Sequence, residues 1–139
     1  MLLSSMLITA SATVAGLLGC IHMLYTFRGN KLHPRDPAVR DAMMADTPVL
    51  TRQTTVWRAT KGFNASHSLG VILFAAVYIY LAGWHAGFLQ ASAFLLVLGM
   101  ATLLTYLALA KAYWFSIPFR GIALACALYA AGLVAMALA

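Results

Sequence analysis

The chain contains no glutamate, and its three acids, Asp36, Asp41 and Asp46, all lie in one hydrophilic stretch. A carboxylate di-iron centre of the ferritin type, which takes acids from several helices, is therefore excluded. So is a small four-helix pump that runs on a buried glutamate. Charge of either sign is scarce: charged residues make up 9% of the chain, where a soluble domain carries about a quarter. Cysteine is scarce too. Cys20 and Cys126 both sit in apolar runs and form no CxxC pair, so a redox or zinc motif is absent and both read as small apolar fillers. No charged residue precedes the first apolar run. The first segment is thus expected to persist as a helix rather than be removed as a signal peptide.

What the chain has instead is apolar surface. Hydrophobic residues account for 63% of 139 positions. A soluble fold this small has too much surface for its volume to hide that fraction. Lipid must be the solvent for most of it. The fold class expected is all-α: a single four-span membrane domain, a four-helix bundle with an extended cytoplasmic first loop.

The spans are expected near residues 2–27, 65–84, 88–114 and 120–138, with the loop at 28–50. In the first, Ala12, Gly16 and Cys20 form one small-residue row, and Ala15 and Gly19 form a second that continues to His22 and Thr26. Such rows let helices approach closely, so His22 should face a neighbouring helix. In the loop, Asp36-Pro37 reads as a helix N-cap followed by proline at the first helical position. A short interfacial helix over 37–45 follows from it, with Met43 and Met44 dipping into the headgroups. The second helix is expected to start near residue 50, before its apolar part, because Trp57, Lys61, Asn64, His67 or Ser68, and Val71 recur at three to four. Tyr78, Tyr80 and Trp84 read as an interfacial aromatic belt. Residues 83–87 and 116–119 are expected to be turns, the latter fixed by Pro118. The alanines at 123, 127, 131, 135 and 139 form an i+4 ladder, read as a packing face toward the first span or a second subunit.

Every Lys and Arg falls in the first loop, in the third turn, or at adjoining helix ends. By the positive-inside rule the long loop is cytoplasmic and both termini are periplasmic, in a bacterial inner membrane. The net charge of +6 is then a matter of topology and of attraction to anionic membrane lipids, and nucleic-acid binding is not implied.

The stretch from Trp57 to Gly70 carries the polar chemistry. Polar side chains leading into a span are costly unless paired or hydrated, which makes them functional candidates. His22 and His67 should lie at similar depth on consecutive helices. Tyr25, Trp57, Arg58, Lys61, Asn64, Ser66, Lys111, Tyr113 and Arg120 are placed in the same cytoplasmic layer. Three readings stand. His22, Asn64, Ser66 and His67 hydrogen-bond across helices and only fix register. Or the cluster is a pocket for a small amphiphile, a lipid headgroup or quinone, under a basic rim where Lys111 and Arg120 reach phosphates. Or His22 and His67 are metal ligands, with haem iron or copper between two imidazoles. No nucleophile–base pair at recognisable spacing marks an enzyme. An oligomeric channel or transporter lacks an intramembrane acid or selectivity ring. An accessory subunit of a larger membrane complex, or a homo-oligomer joined through the small-residue faces, fits the same features. His33 and His85 read as ordinary surface residues.

The segment W-R-x-x-x-G-F-N-x-S-H-x-x-G, with the earlier G-C-I-H-M-L-Y-T, resembles a group of uncharacterised small bacterial four-helix membrane proteins. The resemblance covers most of the chain. It implies fold and bacterial origin, and no activity.

Overall fold

Long apolar runs with few prolines leave the backbone one way to satisfy its polar groups in lipid, and that is helix. The computed structural model, which describes residues 2–138, contains six helices and, among the described residues, no strand. They are α1 (Leu2–Phe27), α2 (Pro37–Ala45), α3 (Val56–Trp84), α4 (Ala86–Ala91), α5 (Ala93–Tyr113) and α6 (Ser116–Ala137). Four of them, α1, α3, α5 and α6, are long and apolar enough to cross a membrane, as a multi-pass membrane protein requires.

The architecture departs from a strict four-helix bundle in two places. The first connection is not an extended loop, because α2 interrupts it. Asp36 caps that helix by accepting the Ala38 N–H at 2.9 Å, and Pro37 occupies the first position, where a missing N–H costs nothing. Asp46 ends it and accepts the Thr47 N–H at 2.7 Å. At the other side, residues 83–87 are not a turn. α3 runs to Trp84, and α4 begins one residue after His85. Ser92 then separates α4 from α5 because its hydroxyl accepts the Leu95 N–H, a local bond that favours a cap over helix continuation.

Three boundaries also differ from the expected ones. α3 starts at Val56 rather than near residue 50, since Thr51 and Thr55 divert the N–H groups of Gln53 and Arg58 to their own hydroxyls. α5 starts at Ala93, not residue 88. α6 starts at Ser116, so Pro118 lies inside its first turn, where proline is tolerated.

The chain divides into two compact units. The first takes the chain up to Leu18 and from Val71 onward; the second is Gly19–Gly70. The apolar core belongs to the first, with Ile8, Leu89, Leu103, Ala125 and Tyr129 essentially inaccessible. Its helices are tied by polar groups reaching across. Ser11 donates to the Ala125 carbonyl at 2.6 Å, and the Gln90 amide donates to the Ser4 hydroxyl at 3.2 Å. Tyr78 and Tyr129 donate to the carbonyls of Leu95 and Leu96, at 2.6 and 3.2 Å. Gly99 makes this possible, because a Cβ there would overlap the rings of both tyrosines.

Two sequence expectations are revised in this unit. Tyr78 is buried and does not belong to an aromatic belt, since its hydroxyl finds a backbone partner inside. Tyr80 and Trp84 stay exposed. The alanine ladder of α6 is not the face that packs within the chain: Ala127 and Ala131 are exposed, as a face kept for a second subunit would be, and position 139 lies outside the described residues. The buried face is Ile122, Ala125, Cys126, Tyr129 and Gly132. Burying one tyrosine ring and two aliphatic side chains removes more apolar area than burying a row of methyls, so the larger residues set the rotation of the helix.

Candidate functional site

In the second unit the C-terminal turns of α1 pack beside the N-terminal turns of α3. Two ring contacts fix the register. The His22 and His67 rings meet edge to face, with centroids 5.5 Å apart and planes at 85°. Closer to the helix ends, the Lys61 ammonium lies 5.5 Å from the centroid of the Phe27 ring. Residue numbers fall on α1 as they rise on α3 between these contacts, which is the signature of an antiparallel pair.

The small second row of α1 explains how the imidazoles come together. Gly19 and Thr26, on the same strip as His22, are buried, and Ser68, next to His67, is fully buried. Small residues on both strips permit close helix approach, and the two imidazoles meet between the helices. Both histidines are half-buried. The His22 Nε2 atom is buried and has no hydrogen-bond partner. A buried ring nitrogen normally finds a partner, and one in a lipid setting has no bulk water to fall back on.

The hydroxyls around the pair do not supply it. Thr26 donates to the His22 carbonyl at 2.8 Å, Thr60 to Val56 at 2.8 Å, Ser66 to Phe63 at 3.0 Å and Ser68 to Asn64 at 2.9 Å. Each bond stays within its own helix. The expectation that Ser66 bonds across helices is therefore wrong: Ser66 is exposed, and its own helix offers a nearer acceptor. Asn64 is half-buried, one turn before His67. Tyr25 and Arg58 are exposed.

Trp57 has a different partner from the one its spacing suggests. It packs edge-on against His33, with centroids 4.9 Å apart. About 15 Å of helix separates Trp57 from His67, too far for one small pocket to use both side chains directly. His33, read from sequence as ordinary surface, is thus half of a second ring pair. The signal for it was local. Gly29 adopts φ +76°, open to glycine without strain, and the His33 N–H closes a turn on the Asn30 carbonyl at 3.1 Å.

Lys111, Tyr113 and Arg120 belong to α5 and α6, in the first unit, and all three are exposed. Lys111 lines an open cleft of about 310 Å³ with Ala110, Trp114, Phe115, Ser116 and Phe119. His85, also read as ordinary surface, sits with Nε2 2.8 Å from the Tyr80 hydroxyl.

The histidine pair fits some ligands better than others. Rings in direct edge-to-face contact leave no slot for a macrocycle between them, and axial haem ligation needs both nitrogens aimed at one iron. Among the described residues, no group of three His, Cys, Asp or Glu side chains comes together to hold a metal ion. The arrangement offers one uncommitted imidazole nitrogen beside a second imidazole, with Lys61 between one and two turns away along α3 and Arg58 about two and a half. Comparison with protein-family models, with curated proteins and with solved structures finds no match to this chain.

Proposed function

We propose that this is a bacterial inner-membrane protein that binds a small amphiphile at the His22–His67 pair, on its cytoplasmic side. Both termini are then periplasmic, and the stretch from Arg28 to Thr55 is cytoplasmic. The distribution of cations supports this orientation, because seven of the nine lie between Arg28 and Lys61.

The observation that carries the binding proposal is the buried, unpartnered Nε2 of His22. An imidazole nitrogen either donates or accepts, according to its tautomer. A ligand with a carbonyl or hydroxyl at its polar end, such as a quinone or a lipid headgroup, completes the missing bond. The ligand's apolar part then lies along Leu24 and Leu69, both exposed on these two helices. Lys61, about 9 Å from His67 along α3, is the nearer cation for an anionic group on it.

The test is mass spectrometry of small molecules that co-purify with the intact chain in mild detergent. The wild type should retain a quinone or lipid near one-to-one stoichiometry, and His22→Leu and His67→Ala should lose it while keeping the wild-type circular dichroism. Equal retention by all three proteins would sink the proposal. Retention of nothing by the wild type would also sink it, and would leave His22 to be met by a side chain of a partner subunit.

A further inference from the structure

The cleft at the α5–α6 corner has a chemistry of its own. Its walls are aromatic and aliphatic: Ala110, Trp114, Phe115 and Phe119. Its one cation is Lys111, in the last turn of α5. Neither α5 nor α6 contains an acidic residue, so nothing on the two helices that form the cleft neutralises that ammonium. Ser116 adds a hydroxyl to the lining. The corner lies at the ends of two spans, where headgroups begin and where tryptophan and lysine side chains place their polar tips.

We infer that this cleft is a binding site for one anionic phospholipid, with the phosphate on Lys111 and Ser116 and the first part of an acyl chain against Trp114, Phe115 and Phe119. The occupant has to be anionic, because the cleft presents a cation with no acid beside it. It has to be a lipid rather than free phosphate, because most of the lining is apolar and would gain nothing from an inorganic ion. This differs from a lysine that merely snorkels to whatever headgroup passes. A snorkelling side chain needs no cavity, is not saturable and does not select one headgroup. The inference does not depend on the histidine pair, which belongs to other residues.

The full-length protein, purified in mild detergent, should be titrated with phosphatidylglycerol and with phosphatidylcholine of matched chains and followed by native mass spectrometry. One phosphatidylglycerol should be retained in preference to phosphatidylcholine. Lys111→Ala should reduce that retention about fivefold, the effect of one cation at an anionic membrane surface, and Lys111→Arg should preserve it. Lys31→Ala, which removes an exposed cation in the first connection, should leave retention unchanged. Equal binding of the two lipids overturns the site. So does an equal loss in Lys31→Ala, which would mean general charge attraction. Displacement of the lipid by excess inorganic phosphate would show that free phosphate, not a lipid, is the ligand. Lys111 is exposed, and an unchanged melting curve of Lys111→Ala will show that the loss is not unfolding.

Discussion

The two compact units differ in where their inward-facing polar side chains reach, although Thr13, Thr102 and Thr105 of the first also bond back to their own helices. In the first, hydroxyls and an amide cross between helices: Ser11 to Ala125, Tyr78 to Leu95, Tyr129 to Leu96 and Gln90 to Ser4. In the second, the hydroxyls of Thr26, Thr60, Ser66 and Ser68 fold back onto their own helices, and the helices meet through rings. The first pattern welds elements together. The second satisfies each helix alone and leaves His22 Nε2 uncommitted at the place where the helices meet. Polar residues near or inside a membrane are not one class. Where they point at a neighbouring backbone they are structural, and where they stop short of one they are candidates for a ligand.

The sharpest way to break this comparison is at Gly99. Gly99→Val should destabilise by about 3 kcal/mol, the upper end of ordinary overpacking, because its side chain would overlap the Tyr78 and Tyr129 rings. Denaturation in mixed micelles reads it, and a loss below 1 kcal/mol would mean that the first unit is not packed as described. The next contrast sets two serines against each other. Ser11→Ala removes a buried interhelical bond and should cost on the order of 1 kcal/mol, whereas Ser66→Ala removes only a local bond at an exposed position and should cost almost nothing. Equal costs would erase the distinction between the units. The smallest expected effect has the opposite sign. His22→Leu replaces a buried, unpartnered nitrogen with carbon, and in ligand-free detergent it should be neutral or stabilising by up to about 1 kcal/mol. A clear loss of stability there would reassign His22 to the structural class.

Much of the local structure was legible beforehand because it rests on neighbours in the chain. The α2 cap is an example: Asp36 and Pro37 are adjacent, and their preferences need no tertiary help. The inward strip of Gly19, His22 and Thr26 followed from helical periodicity, and so did the meeting of His22 with His67, since two consecutive antiparallel spans bring equal depths together. Other features were hidden, some by closely balanced local competition and some by dependence on distant residues. Thr51, Thr55 and Ser92 shift helix ends through side-chain bonds that compete with helix by small margins. Tyr78 looks like a belt residue until Gly99, 21 positions away, makes room for it. Trp57 shares a face with His67, yet a periodic stripe carries no information about which part of it a neighbour covers.

By itself the sequence determined the solvent and the all-helical class. So few charges among so many apolar residues require lipid, and lipid requires helix, because an unpaired peptide group in hydrocarbon costs several kcal/mol. Only the tertiary structure decided which polar groups are satisfied. Whether the nitrogen of His22 or the hydroxyl of Tyr129 finds a partner depends on distances of a few tenths of an ångström between helices. Hydrogen bonding is that short in range, and sequence periodicity resolves position only to the width of a helix face.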